Sequence, residues 1–123
     1  MSGTKSVKSD LGYADRPLMD VMGIALSGLR AASAGVAVQA NNVANQQSDG
    51  FKAKRVELVA EASGGVRVSG VSEDATPAGP GATNVDLATE TVQGMGYDLM
   101  YKANLKVLKA ADELTQATLD LKA

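Results

Sequence analysis

The chain has no cysteine, no histidine and no tryptophan among its 123 residues. Those absences exclude thiol nucleophiles, Cys/His zinc sites, Ser-His-Asp triads and histidine acid–base chemistry. Without cysteine there are no disulfides, and nothing about redox compartment follows. Aromatics are equally scarce: Tyr13, Phe51, Tyr97 and Tyr101 are the complete set. Large side chains supply most buried area, so a chain this poor in them cannot build a thick globular core. Small residues take their place, with twenty Ala and thirteen Gly, and these suit helices that approach one another closely. Charge is balanced, at twelve basic against fourteen acidic residues and a pI near 5.0. No nucleic-acid partner and no attraction to anionic lipid follow from that balance.

One domain is the natural reading of this length. Residues 1–19 mix Ser, Gly, Lys and Asp without period and read as a disordered N-terminal arm. Residues 20–123 read as a single unit. From about 20 to 45 the pattern is helical. Met22, Leu26, Leu29, Ser33, Val36, Ala40 and Val43 form a heptad seam. A second stripe of the same period, Ala25, Gly28, Ala32 and Gly35, contains only small residues and would admit another backbone closely. Leucine at Gly28 should therefore disrupt packing, whereas alanine there should be harmless. Asp20 is a candidate cap. An Asn in the left-handed conformation, among Asn41, Asn42 and Asn45, is expected to close the helix.

Met22–Ala40 is long enough to span a bilayer, but Arg30, Ser27, Ser33, Gln39 and three glycines interrupt it, so no membrane insertion is expected. Lys5, Lys8, the run Val21–Leu29 and Ala32-Ser33-Ala34 imitate a cleavable signal. Asp10, Asp15 and Asp20 dilute the basic region, and the heptad continues through the supposed cut.

Asp49-Gly50 predicts a turn. Alternation at Val56, Leu58 and Ala60, then at Val66 and Val68, predicts a β-hairpin over about 54–72 with its turn at Ser63-Gly64-Gly65. Residues 73–84, with Pro77 and Pro80, read as a linker.

A longer helix is expected over about 86–121, capped by Asp86 with Glu90 as a favourable early charge. Its apolar seam runs Met100, Ala103, Val107, Ala110, Leu114, Ala117 and Leu121. Asp98 with Lys102, and Lys109 with Glu113, are candidate i,i+4 ion pairs. Gly94 and Gly96 are candidate bend points. Seams at both chain ends suggest that the two helices pack together. The fold class is therefore mainly α: long N- and C-terminal helices paired like a coiled coil, with a small β-hairpin and linker between.

No catalytic constellation emerges. Glu73-Asp74 and Asp112-Glu113 are adjacent carboxylates without further ligands, and read as solvated surface rather than a metal site. The Gly-rich spots lack the spacing of phosphate loops, so no cofactor is expected. Lys52, Lys54 and Arg55 beside Phe51 read as a solvated basic turn.

Two blocks of sequence carry a resemblance. Leu26-Ser27-Gly28-Leu29-Arg30-Ala31, Ala40-Asn41-Asn42-Val43-Ala44-Asn45 and Ser48-Asp49-Gly50-Phe51-Lys52 resemble the amino-terminal motif of bacterial flagellar axial proteins. Asn84-Val85-Asp86-Leu87, Glu90, Tyr101-Lys102-Ala103-Asn104-Leu105-Lys106 and Ala111-Asp112-Glu113-Leu114 resemble that family's carboxy-terminal motif. Ser48 stands where the family usually has Thr.

The resemblance implies a structural subunit of the flagellar rod, not an enzyme. Such a subunit is exported from the cytoplasm by the flagellar secretion apparatus and assembles in the basal body, with the rod spanning the periplasm. Its implied partners are other axial subunits and copies of itself, packed through the terminal helices. Gly35 and the motif residues are the implied packing positions, with the Asn side chains available to a helix terminus or to a neighbour's backbone. The short middle segment fits a proximal-rod type. A cytoplasmic helical-hairpin chaperone or adaptor is the alternative.

Overall fold

The computed structural model describes the backbone of residues 2–122 and the side chains of residues 17–121. Its elements follow in order: helix α1 (Ser2–Ala44), strand β1 (Lys54–Ala60), strand β2 (Val66–Glu73) and helix α2 (Leu87–Lys122). Two long helices with a small antiparallel hairpin between them match the fold class read from the sequence.

Helix α1 includes Asp20, and the arm read over residues 1–19 falls mainly on residues 1–16, whose side chains lie outside the described residues. Lying inside the helix, Asp20 cannot cap its start. Pro17 is also internal; it leaves one backbone acceptor of the preceding turn without its donor. The segment Pro17–Ala44 is long and apolar enough, by length and composition, to cross a membrane. In the fold, one of its faces is packed against α2 and a second carries the hairpin.

Helix α1 does not close on a left-handed Asn, since no described non-glycine residue has positive φ. The Asn45 side chain instead donates to the Asn41 carbonyl at 2.9 Å, and the Asn45 N–H reaches the same oxygen at 3.2 Å. Ser48 then donates its hydroxyl to Asn45 Oδ1, and the chain turns at Gly50 with φ of 71°. At the start of α2 the expected cap is present. Asp86 Oδ1 accepts from the Ala88 N–H at 3.3 Å, and Oδ2 accepts the Thr89 hydroxyl at 2.8 Å. Helix α2 continues through Gly94 and Gly96 without interruption, and at about 1.5 Å per residue it is roughly 54 Å long.

The hairpin pairs Lys54 with Glu73 at its base and Ala60 with Val66 at its tip. A bulge at Ser69 shifts the register between Glu57 and Leu58, and the Ser69 hydroxyl donates to the Glu57 carbonyl. Gly64 and Gly65 both take positive φ, as the tight turn requires.

The helices are antiparallel, but the faces that meet are not the expected apolar seams. Ala25, Gly28, Ala32 and Gly35, the small stripe, are all buried. Four successive contacts fix the register: Gly28 with the Asn104 amide, Gly35 with the Tyr97 ring, Gln39 with Gly94, and Asn42 with Glu90. Large or polar side chains of α2 thus lie over glycines of α1, the arrangement that lets the backbones approach. The apolar seam of α1 is divided: Leu29 is buried, Met22 and Val43 are half-buried, and Leu26, Ser33, Val36 and Ala40 are exposed. On α2 only Met100 of the expected seam is half-buried, while Ala103, Val107, Ala110, Leu114, Ala117 and Leu121 are exposed. Seam and small stripe have the same period, so periodicity alone could not decide which would turn inward.

Candidate functional site

The densest chemistry in the molecule is a polar clamp at one end of the helix pair. Its centre is Glu90, in the first turn of α2 and fully buried. Glu90 Oε1 accepts from Arg55 Nη1 at 2.6 Å, and Oε2 accepts from Asn42 Nδ2 at 3.1 Å. Asn42, also fully buried, sits in the last turn of α1. Its amide pairs with the backbone of Lys54 as a neighbouring strand would: Oδ1 accepts the Lys54 N–H, and Nδ2 donates to the Lys54 carbonyl, both at 2.8 Å. A charged group costs most when buried alone, and here the carboxylate faces a guanidinium and an amide. No buried side-chain N or O atom among the described residues lacks a partner.

Arg55 extends the clamp to the linker. Its Nη2 lies 3.3 Å from Asp74 Oδ2. Thr76 donates both its hydroxyl, at 2.6 Å, and its N–H, at 2.9 Å, to Asp74 Oδ1. The Thr76 hydroxyl above all, then its N–H, hold the Asp74 carboxyl below its ordinary value of 3.8; partial burial opposes this and Arg55 adds to it. Asn84 completes the set: its Oδ1 accepts the Ala53 N–H at 2.6 Å, and its Nδ2 donates to the carbonyls of Asp74 and Thr76. Ala53 itself is fully buried. Three polar residues from three segments thereby satisfy backbone that no regular element pairs.

At the opposite end of the hairpin a single hydroxyl does similar work. Ser27 donates to the Ile24 carbonyl at 2.6 Å and accepts the Val66 N–H at 3.1 Å. Its oxygen lies where a Cβ on Gly65 would fall. Beside each of these attachments the hairpin leaves an open pocket against α1. One cavity of about 160 Å³ lies among Ile24, Gly28, Leu58, Val66 and Met100. A second of about 340 Å³ lies among Ala37, Val38, Asn41, Lys54 and Val71.

The motif residues therefore separate into groups. Asn42, Glu90 and Asn84 come together in the clamp, and Asp86 caps α2. Ser27 pins the hairpin tip. Gly28, Gly35 and Asn104 meet at the helix interface, beside buried Leu29. Asn45 and Gly50 shape the exit from α1; Phe51, next in the chain, and Val85, just before α2, are half-buried. Leu26, Asn41, Ala44, Lys52, Leu87, Tyr101 and Ala103 are exposed.

Arg55 is not part of a solvated basic turn and Asp74 is not free surface, because each is drawn into the clamp. Their partners lie 19 and 35 residues from Arg55 in sequence, beyond any local pattern. Only the Asp74-Ala75-Thr76 spacing, suited to a side-chain-closed turn, was a local sign. Of the two expected helical ion pairs, Asp98–Lys102 forms at 2.9 Å, whereas Lys109 and Glu113 do not approach within ion-pair distance.

The outer faces are the second feature. On α2, Val92, Leu99, Ala103, Val107, Ala110, Leu114, Ala117 and Leu121 are all exposed, at successive spacings of three, four or seven residues along one side. Leu99 is 69% exposed and Leu114 57%. On α1, Met19, Leu26, Val36 and Ala40 make a matching outward stripe. Apolar stripes of this length are uncommon on a solitary soluble protein and mark interaction surfaces.

The fold is thus a helix pair whose polar residues serve its own backbone and whose α2 carries an outward apolar stripe. Residues 82–121 match the family described as flagellar basal body rod FlgEFG protein C-terminal. A search of curated proteins finds no match to the chain. The matched segment includes Asn84 and Glu90 of the clamp, the Asp86 cap and nearly all of α2. It supports membership of the axial flagellar protein family, with a structural role of basal-body rod type.

Proposed function

We propose that the chain is a subunit of the flagellar rod, exported by the flagellar secretion apparatus and assembled in the basal body through the outer faces of its two helices. The outward apolar seams carry this reading. Helix pairing uses the small stripe, so each seam is left for a partner. Other axial subunits and copies of this chain are the partners, and the short hairpin and linker fit a proximal-rod type. The family match implies a non-enzymatic protein.

The test is localisation followed by disruption. The protein should co-purify with basal bodies, and Leu99→Asp with Leu114→Asp should leave it expressed and exported but absent from them. Recovery only from the soluble cytoplasm would instead support the chaperone or adaptor reading. Incorporation of the double variant at the normal level would show that the α2 stripe is not the assembly surface.

A further inference from the structure

The hairpin is attached to the helices at its ends, by Ser27 at the tip and by Asn42 and Arg55 at the base, with an open pocket beside each attachment. Apolar packing alone does not seat it: Leu58, Val68 and Val71 remain partly exposed. The same base attachment neutralises Glu90, which belongs to α2 and has no contact with the hairpin tip. Lifting the hairpin takes Arg55 from Glu90 and the Lys54 backbone from Asn42 in one movement. Glu90 would then be a buried carboxylate facing one amide, a state that favours withdrawal of its turn of α2 into water.

We infer that the hairpin is a clasp: its seating on α1 and the docking of the first turns of α2 are one coupled event, transmitted through Arg55 and Glu90. Ser27, although more than 60 positions from Glu90 in sequence, thereby influences whether α2 docks. The coupling is a property of the single subunit and is independent of the flagellar role proposed above.

Ser27→Ala tests it in the full chain. The substitution removes the tip attachment, touches no residue of the clamp, and favours helix in α1. Amide exchange is read by mass spectrometry, with trimethylamine N-oxide added if the dilute chain is not helical. Loss of one hydrogen bond should speed exchange about fivefold, in residues 54–72 and also in 87–97. Residues 112–121 should be unchanged. In an Arg55→Met/Glu90→Met background, which keeps side-chain bulk without the ion pair, the Ser27→Ala effect should be confined to the hairpin. Exchange that quickens only at 54–72 in the otherwise unaltered chain, or at neither segment, would overturn the coupling. An undiminished effect at 87–97 in the Met/Met background would show that Arg55 and Glu90 do not transmit it.

Discussion

The two ends of the helix pair solve different problems. Where α1 finishes and α2 begins, Asn42, Arg55, Asp74, Asn84 and Glu90 satisfy one another and the backbone around them, so this end is complete within one subunit. Towards the other end Ala111 is buried, but Met19, Leu114, Leu119 and Leu121 are well exposed. Polar groups need directional partners at fixed distances, and the subunit supplies them itself. Apolar side chains need only a surface excluding water, which any well-shaped neighbour provides. The chain thus keeps its directional contacts inside and leaves much of its apolar surface exposed.

Breaking the clamped end should have the largest effect. Arg55→Met strips Glu90 of its cation and should cost about 3–5 kcal/mol, as removal of one partner from a buried pair typically does. Denaturant unfolding measures it, and adding Glu90→Met should recover much of the loss.

The helix interface should respond next. A Cβ at Gly35 would collide with the Tyr97 ring, and one at Gly28 would fall 2.5 Å from the Asn104 amide. Alanine at Gly28 is therefore not the harmless change that helix propensity suggests. Gly35→Ala should destabilise by roughly 1–3 kcal/mol, the usual range for overpacking. Gly23 has open space around the corresponding position, and Gly23→Ala should stabilise by about 0.4–1 kcal/mol. Thermal melts of the two variants should move in opposite directions.

Acid should act on the clamp through Asp74. Its carboxyl ionises more readily in the fold than its ordinary 3.8, so its contribution is present above that value and is lost as pH falls through the lowered one. Asp74→Asn should flatten the stability profile in that acid range, which unfolding at a series of pH values would reveal.

The smallest effect on the isolated chain belongs to the outer stripe. Leu114→Asp should change its stability by no more than about 0.5 kcal/mol, since the residue is largely exposed and packs little. A substantial loss would mean that the stripe is already packed within the subunit.

Much of this architecture is legible in the sequence. Both helices, the hairpin, the Asp86 cap and the linker follow from period, turn residues and capping chemistry. The inward face of the helices does not. Ala25, Gly28, Ala32 and Gly35 run parallel to Leu26, Leu29, Ser33 and Val36, and hydrophobicity favours the wrong stripe. The deciding contacts are between distant residues, Tyr97 over Gly35 and Asn104 over Gly28, and no local rule joins them. For the same reason Asn42 and Glu90 could be marked as motif residues while Arg55, which connects Glu90 to the hairpin, could not.

Because the chain has no cysteine, one introduced thiol reports one position. The most direct test of the outward-seam account places single cysteines at Val107 and Leu114, with Ser63 at the exposed hairpin turn as reference, and compares labelling in the monomer and in assembled basal bodies. All three should label readily in the monomer, with Val107 and Leu114 becoming strongly protected on assembly and Ser63 much less so. Equal labelling of Val107 and Leu114 in both states would contradict it.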